Sequence, residues 1–329
     1  MTLERFINEQ EAHHPGATGE FSAILHDLAL AAKLVWREVS KAGLVNIHGA
    51  AGTTNTSGDE VKKLDVFADE TIYKAMDHGG HLCVMASEEN EDILQIPAHY
   101  KKGKYALLFD PLDGSSNIDA NITLGSIFSI FKRVTPSGNG TLEDCLQQGI
   151  NQVAAGYVIY GTSTMFVYTT GNGVHGFTLD PTVGEFLLSH ENIRIPKKGK
   201  IYSVNEGNYA KWDDGMKRYI DYLKQEDKVS ERPYSLRYIG TMVGDFHRTL
   251  LYGGIFCYPG DKKNPEGKLR LMYEGNPMSM LVEHAGGKGS TGFQRVLEVK
   301  PKALHQRIPM FIGSEEDVKM CEAFLQGLR

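Results

Sequence analysis

The chain has 329 residues, room for about two domains at the usual ~100–200 residues each. Its 35 Lys and Arg stand against 41 Asp and Glu, a formal net charge of −6, which argues against a nucleic-acid binder working through a general basic field but permits a cation site. No apolar run approaches the ~18 residues that cross a bilayer, and the N-terminus carries Glu4 and no apolar leader. A cytoplasmic protein with neither membrane nor nucleic-acid partners is therefore expected. Cys83, Cys145, Cys257 and Cys321 are far apart with no CxxC pair, so buried reduced thiols are expected rather than disulfides or a thiolate zinc site.

Phe21, Ile24, Leu25, Leu28, Ala32, Val35 and Val39 recur at helical spacing and predict one amphipathic helix over 21–39, with Gly43 as its stop. The stretch 49–58, GAAGTTNTSG, is small, polar and Gly-rich and reads as a mobile loop. Leu64, Phe67, Ala68, Ile72 and Ala75 restore the helical period until Gly79-Gly80. The short apolar runs 82–86 and 105–109 predict buried strands, and β-rich runs follow at 127–131, 153–160, 165–168 and 185–188. The polar break Pro196-Lys197-Lys198-Gly199-Lys200 divides the chain into expected domains 1–196 and 197–329. Beyond it the pattern predicts strand 201–204, helices over 216–223 and 243–252, strand 255–258, a helix over 278–285 and strand 310–312. Ser314 with Asp317 resembles a capping box opening a last helix.

The most informative segment is Asp110-Pro111-Leu112-Asp113-Gly114-Ser115-Ser116, fed by the apolar run 105–109. Ligand sites in α/β folds lie beyond the carboxyl ends of strands. Two carboxylates with the Leu112 carbonyl between them offer hard oxygen ligands to one small cation. The Gly-Ser-Ser that follows offers N–H groups and hydroxyls to a phosphate. An acidic β-turn would carry the same letters. The preceding strand also ends in acids, Ser87-Glu88-Glu89-Asn90-Glu91-Asp92. That is either a solvated strand terminus or the second half of a carboxylate cluster held together by two or three divalent ions. Arg237, Tyr238, Tyr258, Lys262, Lys263, Lys268 and Arg270 gather near strand ends of the second half. They read as ordinary surface charge with core-edge tyrosines, or as a second phosphate site that the metals do not reach.

Over nearly its whole length the chain resembles class I fructose-1,6-bisphosphatases. The Asp110–Ser116 motif belongs to the wider lithium-sensitive phosphatase superfamily. The finer resemblance rests on the segment from Gly58 through Asp59 to Asp65, on Ser87-Glu88-Glu89, Ser203-Val204-Asn205-Glu206-Gly207, Gly267-Lys268-Leu269-Arg270-Leu271 and Tyr273-Glu274-Gly275-Asn276-Pro277-Met278. The resemblance implies a two-domain α/β (α+β layered) sugar-phosphatase fold of alternating helix and sheet layers. It implies magnesium-dependent hydrolysis of the 1-phosphate of D-fructose 1,6-bisphosphate to fructose 6-phosphate and phosphate, a step of gluconeogenesis. By it, Glu88, Glu89, Asp110, Asp113, Glu274 and the Leu112 carbonyl would ligate two or three Mg2+ (Mn2+ or Zn2+ as substitutes), and Asp59 would join when its loop closes. Asp65 and Glu89 would orient and deprotonate the attacking water, with Asp59 the third catalytic acid. Ser115, Ser116 and Arg270 would bind the 1-phosphate, Lys268 and Met242 the sugar, and Asp113, Gly114 and Glu274 would also contact the substrate. Asn205, Tyr238 and Tyr258 would hold the 6-phosphate, with Arg237 from a neighbouring subunit. Tyr209 is the remaining substrate residue. One form of the family has Tyr directly after Asn-Glu-Gly, whereas here Asn208 intervenes.

The resemblance also implies a homo-oligomer, a tetramer in the family, and inhibition by AMP at Thr18, Gly19, Glu20, Lys104, Tyr105 and Lys132. Lys132 stands where some members have Arg, and Lys meets a phosphate as a point charge without Arg's fork. The thiol-bearing insertion of the chloroplast enzymes is not evident, so no dithiol control is expected. Gly171-Asn172-Gly173-Val174-His175-Gly176 fits G-x-G-x-x-G, yet strand- and turn-like residues follow it and a hairpin turn is expected. Trp212-Asp213 reads as a helix N-terminus rather than a metal ligand. Two rivals are an inositol-phosphate or other sugar monophosphatase and a catalytically silent metal- and phosphate-binding regulator.

Overall fold

A computed structural model describes residues 1–12, 19–41, 50–54 and 60–329 of the chain. Helices α1 (Leu3–Ala12) and α2 (Glu20–Val39) come first, then strands β1 (Ala50–Thr54) and β2 (Glu60–Lys62) and helix α3 (Lys63–Met76). β1 pairs antiparallel with β2, so part of the stretch read as a loop is a strand, and 55–58 lie outside the described residues. Next follow β3 (Leu82–Ser87), β4 (Leu94–Gln95), β5 (Tyr105–Asp113), β6 (Leu124–Lys132), the short helix α4 (Leu142–Cys145), β7 (Gln152–Tyr160), β8 (Thr164–Thr169), β9 (Val174–Asp180) and β10 (Glu185–His190). β3 to β10 make one eight-stranded sheet in the order β10-β9-β8-β7-β6-β5-β3-β4. Only β3 and β5 run parallel in it.

The second half begins with β11 (Ile201–Ser203), α5 (Asp214–Lys224), β12 (Ser235–Leu236), α6 (Met242–Tyr252), β13 (Ile255–Tyr258) and β14 (Leu269–Arg270). Then come α7 (Asn276–His284), β15 (Lys288–Ser290), β16 (Arg307–Ile308), β17 (Met310–Gly313) and α8 (Glu315–Leu325). Five of these strands form a sheet in the order β12-β11-β13-β17-β15.

Side chains of a strand alternate faces, and that alternation builds the layers. On β7, Ala154, Val158 and Tyr160 pack with Leu28, Ala32, Leu64 and Ile72 of α2 and α3. Their neighbours Ala155, Tyr157 and Ile159 pack the other way, with Val243, Phe246 and Leu250 of α6, Met278 and Leu281 of α7, and Phe256 and Ile312 of the small sheet. The far face of that sheet, Tyr202, Ile255 and Phe311, packs on Met216, Tyr219 and Ile220 of α5 and Val318 and Cys321 of α8. Helices, sheet, helices, sheet and helices therefore stack in turn. All four cysteines are free and buried, and among the described residues no helix is long and apolar enough to cross a membrane.

Several local expectations hold and others do not. Asp213 caps α5, accepting from Met216 N (2.7 Å). The G-x-G-x-x-G segment joins β8 to β9 as an antiparallel hairpin, with Gly171 and Gly173 at positive φ. α1 and β9 escape the periodicity reading. Ser314 and Asp317 make no capping box: the Ser314 hydroxyl accepts from Gly254 N (3.0 Å) and donates to Pro196 O (2.6 Å). Asp317 accepts from Gly199 N (2.8 Å) and Tyr234 Oη (2.7 Å). Both side chains tie α8 to distant segments instead of closing its first turn.

Candidate active site

β3 and β5 are parallel neighbours with Ser87 opposite Phe109, and Glu88 N donates to Phe109 O (3.0 Å). That register brings the acids after β3 beside Asp110. β5 continues through the motif to Asp113 rather than stopping at 109, with an irregular register against β6 between Asp110 and Asp113. A bulge re-aims side chains in this way. Ser126 of β6 pins it by donating to Pro111 O (2.7 Å). Asp110 accepts from Leu112 N (3.0 Å). Asp113 accepts from Met242 N (3.2 Å) and Val243 N (2.7 Å), the first amides of α6. Glu274 sits in a π-helical turn, Leu271–Gly275, and accepts from Arg270 N (2.6 Å). The Arg270 guanidinium forms an ion pair with Glu88. One oxygen from each of Asp110, Asp113 and Glu274 lies within 4.8 Å of the others.

Burial and mutual repulsion of these carboxylates favour their neutral forms. Burial first, then a hydrogen bond with Glu88, pushes Glu89 up to about 9. Burial pushes Glu274 up to about 8 and Asp110 well above the carboxylate range, with Glu88 adding to it. Asp113 rises only to about 6, because the two α6 amides oppose its burial. A buried, clustered set of hard oxygen donors of one sign fits a small divalent cation such as Mg2+. Asp65, on α3, is buried and close enough for its charge to raise Glu89. Asp59 lies outside the described residues. Sequence reasoning passed over Asp69, one turn after Asp65. It accepts from the Ser87 hydroxyl and from Asn90 Nδ2 (3.0 Å), so it brackets the Glu88–Glu89 pair.

Gly114 turns the chain from this cluster into the short helix Ser115–Ala120 with φ 81°. A Cβ on it would come within 2.5 Å of Thr241 Cγ2, so both conformation and space require glycine. Ser115 and Ser116 open that helix beside Asp113. Asn117 Nδ2 donates to Gly240 O (3.4 Å), which joins this turn to the segment 237–241.

Asn205, Tyr258 and Lys268 line one cavity of about 170 Å³ together with Asn208, Lys211 and Lys263. Tyr209 does not line it: its hydroxyl donates to Asp221 (2.8 Å) and its ring packs on Trp212 and under Lys224. Asn208 thus stands in the cavity wall, and Tyr209 turns to α5. Lys211, which donates to Asn208 Oδ1 (2.8 Å), was not foreseen. Tyr238 is partly exposed and near Tyr258; burial pushes its hydroxyl up to about 12. Arg237 is exposed and donates to Leu236 O (2.9 Å). The Met242 side chain is buried with α6 in the core, and only its amide has been placed at the site. At the opposite end of β5, Lys104, just before the strand, pairs with Glu20 at the start of α2 (2.8 Å), next to Gly19. Tyr105 lies opposite Lys132 in the β5–β6 ladder; Thr18 lies outside the described residues.

Residues 1–191 match the family model "Fructose-1-6-bisphosphatase, N-terminal domain", and 195–326 match the C-terminal domain of the same family. The chain belongs to the class 1 fructose-1,6-bisphosphatase family. It is 66% identical to the "Fructose-1,6-bisphosphatase class 1" of Chloroherpeton thalassium, over 100% of this chain and 94% of that protein. The Chlorobium luteolum protein of the same name is 58% identical over 100% of this chain and 99% of its own. The crystal structure of Leishmania major fructose-1,6-bisphosphatase in holo form superposes with TM-score 0.93 at 44% identity, covering 99% of each chain. Its T-state form gives 0.88 at 43%, covering 98% of each. Fructose-1,6-bisphosphatases of this family are magnesium-dependent, and the buried Asp110, Asp113 and Glu274 can bind a metal.

Proposed function

We propose that the chain is a phosphoric monoester hydrolase that removes the 1-phosphate of D-fructose 1,6-bisphosphate, giving fructose 6-phosphate and phosphate in gluconeogenesis. The observation that carries this reading is the pairing of unlike ends. A buried carboxylate cluster runs directly into a Gly-Ser-Ser turn, and Lys268, two residues from the Arg270 that pairs with Glu88, lines a cavity with Lys211, Lys263 and Tyr258. A substrate with two separated phosphates suits that layout, and an inositol monophosphate leaves the second half unused.

Glu88, Glu89, Asp110, Asp113, Glu274, the Leu112 carbonyl and, from its own segment, Asp59 would hold two or three Mg2+. The bound cations supply charge neutralisation on the transferring phosphoryl group and its leaving oxygen. Ser115, Ser116 and Arg270 hold the 1-phosphate in line. Asp65, buried on α3, takes a proton from the attacking water as the P–O bond to water forms and the ester P–O bond breaks, and the leaving oxygen takes up a proton from solvent to become the hydroxyl of fructose 6-phosphate. Glu89 orients that water. Lys268 and the backbone of Met242 border the sugar. Asn205, Tyr238 and Tyr258 take the 6-phosphate, and Arg237 reaches that of a neighbouring subunit in a homotetramer. The half 1–196 then supplies every metal ligand but Glu274 and an AMP-inhibition site at Thr18, Gly19, Glu20, Lys104, Tyr105 and Lys132, and 197–329 supplies most of the contacts to the sugar and the 6-phosphate. The test compares kcat/KM on fructose 1,6-bisphosphate with that on inositol 1-phosphate: a preference for the bisphosphate is expected, and equal values would refute the reading.

A further inference from the structure

The segment 237–241 joins the two ends of the site. It carries Arg237 and Tyr238 at one end and Thr241, the cap of α6, at the other. Its first residue is tied to β11 by Arg237 N on Tyr202 O (2.9 Å). Beyond that point the backbone hangs largely on one side chain. The Asp245 carboxylate is fully buried. It accepts from Ile239 N with both oxygens (3.0 and 3.1 Å) and from Gly240 N (2.9 Å). It also pairs with Arg248 Nη2 (2.6 Å), and that same nitrogen donates to Arg237 O (2.6 Å). Two residues one turn apart on α6 thus grip the backbone on both sides of Tyr238.

Helix capping does not account for this carboxylate. The first amides of α6 are already served: Met242 and Val243 by Asp113, Gly244 by Thr241 Oγ1, and Asp245 N by Thr241 O. The Asp245 side chain reaches backwards, past the helix start, to amides that precede it. A buried carboxylate that accepts several hydrogen bonds fixes its donors in one geometry.

We propose that Asp245, assisted by Arg248, is a positioning residue for recognition of the far phosphate. It sets the backbone from which Tyr238 and Arg237 approach that group, and so enforces the preference for a bisphosphate over a monophosphate. This rests on the reading of Tyr238 and Arg237 as far-phosphate residues. Fructose 1-phosphate lacks that phosphate and serves as the probe.

The test measures kcat/KM on fructose 1,6-bisphosphate and on fructose 1-phosphate at saturating Mg2+, for the full-length enzyme and for Tyr238→Phe, Asp245→Asn and Arg248→Gln. The bisphosphate-to-monophosphate ratio is expected to fall about tenfold or more in Asp245→Asn, since a misplacement of ~1 Å can cost ~10²-fold. It should fall less in Arg248→Gln. A purely structural role would lower both rates together and leave the ratio in place. If Tyr238→Phe lowers the ratio and Asp245→Asn does not, the positioning role is overturned while the far-phosphate reading stands. An unchanged ratio in Tyr238→Phe overturns that reading and the proposal with it. Should Asp245→Asn fail to fold, Arg248→Gln decides alone, and an unchanged ratio there overturns the proposal.

Discussion

The carboxylate of Asp113, at the end of β5, accepts hydrogen bonds from the backbone N–H groups of Met242 (3.2 Å) and Val243 (2.7 Å). One side chain of the large sheet thus closes the first turn of the helix that separates the two sheets. The positive end of α6 offsets part of the carboxylate's burial, which keeps Asp113 the least elevated of the three clustered acids at about 6. Asp113→Asn keeps one acceptor for α6 but loses the charge. Turnover should fall by at least ~10²-fold, the scale for losing one charge-stabilising group at a reacting centre, with a higher Mg2+ requirement. A Mg2+ titration of activity checks both, and an unshifted titration would remove Asp113 from the cation site.

The raised acids make a pH prediction with a definite sign. An unfolded chain releases these protons near pH 4. The folded, metal-free chain holds them until about 6 at Asp113, about 8 at Glu274 and about 9 at Glu89. The folded state binds more protons across that window, so its stability falls as pH rises through it. Divalent cations need the ionised carboxylates and should reverse the loss. The rise in Tm on replacing EDTA with Mg2+ is expected to be larger at pH 9 than at pH 6. Scanning fluorimetry at the two pH values decides, and an equal or smaller rise at pH 9 would contradict it.

Gly114→Ala should damage the 1-phosphate turn specifically. Its φ of 81° and the 2.5 Å approach to Thr241 Cγ2 imply about 1–3 kcal/mol of strain. The turn must shift, and Ser115 and Ser116 shift with it. A fall in kcat/KM with a modest drop in Tm is the expected pair, and wild-type kinetics would show that the turn does not position phosphate.

At the start of β5, Lys104→Gln removes a cation from beside Glu20, Tyr105 and Lys132. The AMP concentration for half-inhibition is expected to rise by up to about tenfold on losing one charge-assisted contact. An unchanged value, or indifference of the wild type to millimolar AMP, would remove the nucleotide site from this end of the sheet.

Much of this site was legible because its parts are close in sequence. Asp110, Asp113, Gly114 and Ser115 share one strand end, and Glu88-Glu89 end the neighbouring strand. The long helices α2 and α3 were legible from their apolar stripes. α1 was not, because Leu3, Phe6 and Ile7 are too few to set a period. The far wall was read less well: Asn208 rather than its neighbour Tyr209 faces the cavity, and only the packing of Tyr209 against Trp212 and Asp221 reveals it. Asp69 and Asp245 were invisible for a related reason. Their worth lies in backbone amides and side chains that the fold brings to them, and an isolated acid on a helix looks like a solvated one. Ser314 and Asp317 show the converse, a capping pattern whose atoms tertiary contacts claim first.

The most direct measurement is phosphate release from fructose 1,6-bisphosphate by the purified full-length chain, with Mg2+ and with EDTA. Rapid release that depends on Mg2+ and yields fructose 6-phosphate is expected. Release indifferent to EDTA, or no release with Mg2+ present, would contradict the assignment of the carboxylate cluster as the catalytic cation site.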